Sequence, residues 1–138
     1  VWLVVDQRQS MFFGSRWKTK SVVAAEAAAL AAWRVLASGD RVGAVVFDDS
    51  DIVTITPHRS RERVMQILRT VARRNQALGA DPAVRPAPAM INEVLRRLGP
   101  MAPHDSLVVL ITDGLGIDET SRAARHPRHG RRRSPGRD

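Results

Sequence analysis

Cysteine is absent from this chain of 138 residues, so disulfides, thiolate zinc sites and cysteine nucleophiles are excluded within it. The absence fits a reducing compartment, and we expect a cytoplasmic protein. No apolar run approaches the roughly 20 residues that a membrane-spanning helix needs. The sequence also lacks a phosphate-binding loop, a Gly-x-Gly-x-x-Gly turn, a nucleophile elbow and a His-Glu-x-x-His motif. These absences favour a binding protein over an enzyme.

Acidic residues are scarce at the C-terminal end, where most of the net charge of +8 arises. Residues 119–138 hold seven of the 22 basic residues and two of the 14 acidic ones. From Ala123 onward no side chain can bury an apolar face, which predicts a disordered tail. Two interpretations of it remain open: a native segment that binds nucleic-acid backbones through Arg131–Arg133, and a non-native, out-of-frame reading of GC-rich DNA.

Buried strands alternate with helices in the body of the chain. Apolar, β-branched runs at 1–5, 42–47 and 106–112 predict strands covered on both faces. The alternating run at 52–56 predicts a half-buried edge strand that Pro57 ends, antiparallel to its predecessor. A first helix is predicted at 20–38, apolar around most of its girth and therefore well covered. A second follows a cap at Ser60, with its apolar stripe running from Val64 to Val71, and a third runs from Met90 to a stop at Gly99-Pro100. This β-α-β-β-α-α-β order predicts an open, doubly wound α/β sheet.

Two of the predicted strands end in a carboxylate, at Asp6 and at Asp113. Ligands of open α/β sheets bind in the crevice beyond the carboxyl ends of the strands. If these two strands are neighbours, both carboxylates enter one crevice. The alternative interpretation is a pair of ordinary strand-end residues satisfied by loop amides, since Asp-Gly is also a common turn.

The chain resembles a bacterial family catalogued as "domain of unknown function 58", whose members look like von Willebrand factor A domains. The resemblance covers roughly residues 1–120. It rests on Asp6-x-x-x-Ser10 after the first strand, the segment Gly39-Asp40-Arg41-Val42-Gly43, and Thr112-Asp113-Gly114. It implies a mostly parallel, Rossmann-like sheet in the order 3-2-1-4, and a metal-ion-dependent adhesion site at Asp6, Ser10 and Asp113. Such a site holds Mg²⁺, a cation that prefers oxygen ligands in octahedral array.

The sequence departs from that adhesion motif at two places. Arg8 stands where the first motif serine belongs, and the later loop offers Asp81 without the expected threonine. A guanidinium beside the site repels Mg²⁺, so we expect binding of the metal to be weakened or lost. We therefore hypothesise that Arg8 supplies the positive charge itself and pairs with Asp6 or Asp113. Asp81 is either part of the partner-binding surface or a plain loop residue.

Basic residues crowd the start of the first predicted helix, against the helix dipole. Arg16, Lys18 and Lys20 are either solvated charges or contacts to an acidic partner beside the crevice. Trp17, in the same loop, is a candidate exposed anchor, since tryptophan is enriched among interface residues that dominate binding.

These observations predict a partial von Willebrand factor A-like domain at 1–120, truncated before its later strands, and an Arg-rich tail at 121–138. The expected function is non-enzymatic protein–protein recognition at the strand-end crevice, where the adhesion site is degenerate. The resemblance implies a AAA+ ATPase of the MoxR type as partner. The rival functions are nucleic-acid binding through the tail and a metal-dependent hydrolase using Asp6 and Asp113.

Overall fold

The elements follow the predicted order of strands and helices. The structure is a computed structural model that describes residues 1–14, 16–79, 84–119 and 121. A short 3-10 helix, Gln9–Phe12, follows the first strand. The remaining elements are β1 (Trp2–Asp6), α1 (Lys20–Ala37), β2 (Val42–Phe47), β3 (Ile52–His58), α2 (Arg61–Ala77), α3 (Met90–Met101) and β4 (Val108–Ile111).

The four strands form one mixed sheet in the order β3-β2-β1-β4. β1 runs parallel to both of its neighbours, whereas β3 pairs antiparallel with β2. The order agrees with the one that the resemblance implied, and β3 is the antiparallel edge strand that its alternating sequence predicted. Because β1 and β4 are adjacent and parallel, their carboxyl ends meet at the same edge of the sheet.

Helices cover both faces of this sheet. Successive side chains of a strand point to opposite faces, so the apolar residues of one strand pack against helices on either side. Leu3 and Val5 of β1 pack on one face against residues of α1 and α2. Trp2 and Val4 pack on the other face against residues of α3. All five residues of β1 are buried, which explains why the four before Asp6 are apolar without alternation.

Two proline positions correct the predicted element ends. β3 continues through Pro57 to His58, since an edge strand can keep a residue that donates no hydrogen bond. The pairing with β2 shifts by one residue there, and a Cβ on Gly43 would lie 2.7 Å from the Pro57 nitrogen. Likewise α3 passes Gly99 and Pro100 to end at Met101, so that only one helical residue follows the proline.

Burial near β4 also differs from the expectation. The strand was predicted to be buried on both faces, yet all four of its residues are half-buried, since no described strand pairs with its outer side. α1 was predicted to be well covered, yet Val23 is 51% exposed and Leu30 75% exposed. The region around β4 therefore presents apolar surface.

Some predictions fall beyond the described part of the chain. Asp81 and the predicted tail, apart from Ser121, lie outside the described residues, so the expectations for them stay predictions. Within the described ranges, no helix has both the length and the apolar character needed to span a bilayer.

Candidate functional site

The carboxyl ends of β1 and β4 bring the two predicted carboxylates into one crevice. Val5 of β1 is in register with Ile111 of β4, so the next residues, Asp6 and Thr112, lie side by side. The Thr112 hydroxyl donates a 2.6 Å hydrogen bond to Oδ2 of Asp6. Asp113 follows at the rim, and its side chain is 15% exposed whereas that of Asp6 is fully buried.

Arg8 folds back onto the carboxylate of Asp6 and forms the ion pair that the sequence suggested. Its Nε lies 3.0 and 3.1 Å from the two Asp6 oxygens, and its Nη2 lies 2.7 Å from Oδ2. The backbone N–H of Arg8 also donates to Oδ1, at 3.0 Å. This forked contact matches the planar guanidinium to the planar carboxylate, a geometry that lysine cannot reproduce.

The guanidinium of Arg8 is enclosed by protein as fully as its partner. The residue is 1% exposed, its Nη1 donates to the carbonyl oxygen of Pro88 at 2.7 Å, and its charge lies 5.5 Å from the centre of the Phe47 ring. Nη2 is also 3.7 Å from Oδ1 of Asp113. A buried charge is tolerable only when it is paired and its donors are satisfied. Arg8 meets that condition and links both carboxylates.

Asp113 forms the outer, more accessible half of the crevice. Lys20, the first residue of α1, donates to its Oδ2 at 2.9 Å, and the Leu115 N–H donates to its Oδ1 at 3.0 Å. Burial raises the pKa of the Asp113 carboxyl, but the hydrogen bonds from Lys20 and Leu115 and the charges of Lys20 and Arg8 outweigh it, so the pKa lies below its ordinary value. Lys20 is 46% exposed. The charges within reach of a partner are therefore those of Lys20 and Asp113.

Asp49 ties two loops around the crevice together. Its carboxylate accepts a hydrogen bond from the Gln9 N–H at 2.7 Å and from the Ala87 N–H at 2.8 Å. The predicted function did not include Asp49, Thr112 or the Pro88 carbonyl. Asp49 and Thr112 could have been predicted from their positions in the sequence. Asp49 comes two residues after β2 and Thr112 one residue after β4, so both lie at the same edge of the sheet as Asp6. No sequence pattern indicated that Pro88 lies beside Arg8.

Ser10 does not join this network. It lies in the 3-10 helix after β1, and its hydroxyl is buried without a hydrogen-bond partner among the described residues. A buried hydroxyl without a partner is a possible oxygen ligand for Mg²⁺, but the carboxylate of Asp6, the other oxygen ligand expected from β1, does not fit the cation. Both oxygens of Asp6 already accept hydrogen bonds from Arg8, whose guanidinium stands at the site. The described residues also contain no group of three His, Asp or Glu side chains placed to hold a metal.

The remaining basic candidates lie on the loop between Phe13 and Lys20. Lys18 pairs with Glu26 of α1 at 2.9 Å, and both side chains are about half exposed. Arg16 is exposed and makes no ion pair with a described residue. Trp17 between them is 87% exposed. Of the three predicted basic residues, only Lys20 enters the crevice itself.

Comparison with known proteins gives one match. Residues 1–131 match the family described as "Protein of unknown function DUF58". No curated protein and no solved structure matches the chain.

Proposed function

We propose that this chain, which belongs to the DUF58 family of unknown function, is a non-enzymatic recognition module with a von Willebrand factor A-like, doubly wound fold. The crevice at the carboxyl ends of β1 and β4 is the binding site for a protein partner. Ligands of open α/β sheets bind at this edge, beyond the strand ends. The sheet order and the helices on both faces support the proposed architecture.

The observation that carries the proposal is the buried pair of Asp6 and Arg8. In an adhesion site of the von Willebrand type, a divalent cation would hold the strand-end carboxylate and face the partner. Here the guanidinium of Arg8 occupies the position beside Asp6. We propose that Arg8 replaces the cation, so that partner binding requires no Mg²⁺.

The same geometry argues against catalysis at the crevice. A general base must be free to take a proton from a substrate, yet the oxygens of Asp6 accept hydrogen bonds from Arg8 and Thr112. Asp113 is engaged by Lys20 and by the Leu115 N–H. A turnover assay with phosphate esters and peptides tests this point, because activity lost in Asp6→Ala would contradict the proposal.

The proposed partner is a AAA+ ATPase of the MoxR type, on the strength of the family resemblance. The direct test is a binding assay, by biolayer interferometry, between the full chain and a MoxR-type ATPase from the same genome. Lys20→Glu reverses the exposed positive charge of the crevice. Binding should weaken about 10-fold or more, because a partner group that the lysine attracts would be repelled by the glutamate. The matched control, Arg73→Glu on α2, changes an exposed charge on a different helix and should bind like the unmodified chain.

Metal independence is tested in the same assay. Binding should be equal in Mg²⁺ and in excess chelator if Arg8 supplies the charge. Binding that requires Mg²⁺ would contradict the replacement of the cation, and equal binding by Lys20→Glu would contradict the crevice as the site.

The arginine-rich C-terminal segment supports a second candidate function, nucleic-acid binding, because residues 119–138 hold seven basic residues. Phosphate-backbone binding of this kind is independent of base sequence and weakens steeply with salt. Deleting residues 121–138 should abolish DNA binding in a mobility-shift assay while leaving binding at the crevice intact. DNA binding that survives the deletion would rule this candidate out.

A further inference from the structure

Positive charge is concentrated in one short part of the domain, at the entry to α2 and along the first half of that helix. The segment from Arg59 to Arg69 holds four arginines and one acidic residue, Glu62, so its net charge is +3. Residues 1–118 hold 15 basic and 12 acidic residues, so their net charge is also +3. The charges of the other residues up to 118 therefore balance, and this segment carries the whole excess.

None of the four arginines in this segment forms an ion pair with a carboxylate of the described residues. Arg59 donates to a backbone carbonyl oxygen in the turn after α1 at 3.1 Å, and Arg63 donates to Oε1 of Gln66 at 3.0 Å. Both of these acceptors are uncharged. Arg61 lies over the ring of Trp33, 5.7 Å from its centre. The positive charges of the segment are therefore available to an anion from outside the chain.

Two of these arginines line a polar cleft of about 330 Å³ between the end of β3 and α2. Arg63 and Arg69 share its lining with His58, the last residue of β3, and with Ser60, the N-cap of α2. Arg69 and His58 are exposed, whereas Arg63 is half-buried. Among the described residues, Glu62 is the one carboxylate that lines the cleft. Two guanidinium groups and a single carboxylate leave the cleft with an excess of positive charge, which suits a phosphate group.

The cleft lies far from both the crevice and the apolar surface around β4. β3 is the edge strand at the opposite side of the sheet from β4. His58 is paired with Val42, the first residue of β2, so the cleft is at the opposite end of the strands from Asp6 and Asp113. A ligand of the cleft and a partner in the crevice would therefore not compete for the same surface.

The composition of this face decides which kind of anionic partner it suits. A protein interface has a largely apolar centre, and a helix that lies on a membrane buries apolar side chains in it. The exposed residues of α2 include no apolar side chain larger than alanine. Single-stranded nucleic acid stacks its bases on aromatic rings, yet Trp33 lies beneath the guanidinium of Arg61. Duplex nucleic acid needs neither feature, because cationic contacts to its phosphates supply most of its sequence-independent binding.

We propose that this face, the α2 ridge formed by Arg59, Arg61, Arg63 and Arg69, binds the phosphodiester backbone of duplex nucleic acid. The helix rises about 12 Å from Arg61 to Arg69, and a duplex carries one negative charge about every 1.7 Å of its axis. Several phosphates therefore come within reach of the ridge, and the two cleft arginines each contact one. The inference is independent of recognition at the crevice, and it competes with the C-terminal segment as the part of the chain that binds DNA.

Fluorescence anisotropy of a short labelled DNA duplex, titrated with the full chain at several salt concentrations, tests the inference. The ridge variant, Arg63→Ala combined with Arg69→Ala, should bind the duplex at least about 10-fold more weakly at low salt. The slope of log K against log salt should become shallower by about two, because each lost phosphate contact reduces it by about one. Arg69→Ala alone, at an exposed position that does not support the core, should reduce the slope by about one.

Two further variants of the full chain separate the ridge from a general effect of net charge. The matched control, Arg96→Ala combined with Arg97→Ala on α3, removes the same number of charges from arginines that are already paired with Glu93. It should bind the duplex almost normally. The tail variant, in which the three arginines at 131–133 become alanine, should bind the duplex more tightly than the ridge variant does.

Several results would overturn the inference. These are no duplex binding by the unmodified chain, equal losses in the ridge variant and its control, and a greater loss in the tail variant than in the ridge variant. Tighter binding of a single strand of the same sequence would contradict the choice of a duplex. Tighter binding of polyglutamate than of the duplex, lost in the ridge variant, would identify an acidic protein as the partner instead.

Discussion

Asp6 and Asp113 both follow parallel strands at the same edge of the sheet, yet their surroundings differ. Asp6 is fully buried and receives the forked guanidinium of Arg8 and the hydroxyl of Thr112. Asp113 lies at the rim, where half-exposed Lys20 is its closest cationic partner.

The chain that follows each strand causes this difference. After Asp6 the backbone places Arg8 two residues later, where the side chain turns back over the carboxylate. After Asp113 the chain turns away at Gly114, whose φ of +77° is a conformation that glycine adopts most readily. The inner carboxylate thus belongs to a sealed ion pair that shapes the crevice, and the outer one remains within reach of a partner.

The largest expected effect comes from removing Arg8. Arg8→Met leaves the carboxylate of Asp6 buried without its cation, and breaking a buried pair from one side costs about 3–5 kcal/mol. The free energy of unfolding from urea titration at neutral pH measures it. The matched control, Arg97→Met, breaks an exposed pair with Glu93 on α3 and should leave the urea midpoint almost unchanged.

A double variant sharpens the same comparison. Asp6→Leu combined with Arg8→Met replaces the pair with apolar side chains and should recover much of the stability that Arg8→Met loses. If Arg8→Met alone is as stable as the unmodified chain, the pair does not hold the crevice as described.

Removal of the Thr112 hydroxyl should have the next largest effect. Thr112→Val keeps the side-chain shape but removes the donor to Asp6 and the acceptor of the Gly114 N–H. Leaving such groups unsatisfied costs about 1–3 kcal/mol. Thr54→Val on the exposed face of β3 is the control and should be neutral in the same urea titration. Equal effects of the two variants would show that the contact to Asp6 adds nothing.

The outer carboxylate should contribute least, and its contribution should depend on pH. The folded pKa of Asp113 lies below the ordinary value of 3.8, so its stabilisation is complete at neutral pH and is lost as the pH falls below about 4. Asp113→Asn should therefore reduce stability at pH 7 by less than about 1 kcal/mol, because the pair with Lys20 is solvent-screened.

The difference between the unmodified chain and Asp113→Asn should shrink as the solution is acidified. Urea titrations at pH 7 and pH 3 measure that difference directly. A difference that grows at pH 3 would contradict the assigned contacts of Asp113.

The sequence predicted the sheet well because burial on both faces leaves an unbroken apolar run. β1 and β2 show that pattern, and the strand-end position of Asp6 and Asp113 followed from it. The run at 106–112 looks the same, yet β4 is half-buried, because burial depends on neighbours that local pattern does not encode. The two predictions that an element ends at a proline were wrong. The edge strand β3 contains Pro57, and the last turn of α3 contains Pro100.

The candidate site was predictable where it depends on strand order and unpredictable where it depends on loops. Adjacency of β1 and β4 brings Asp6 and Asp113 together, and two-residue spacing makes the contact between Asp6 and Arg8 plausible in advance. The Pro88 carbonyl that accepts from Arg8 comes from a loop 80 residues away, which no local pattern identifies. The same holds for the packing that leaves Ser10 without a hydrogen-bond partner among the described residues.

The central claim is that Arg8 takes the place of a metal ion, and calorimetric titration of the full chain with Mg²⁺ tests it most directly. The unmodified chain should give no binding heat up to millimolar Mg²⁺, whereas Arg8→Ser, which removes the guanidinium and places a hydroxyl near Asp6, should gain measurable binding. Clear micromolar binding of Mg²⁺ by the unmodified chain would contradict the claim.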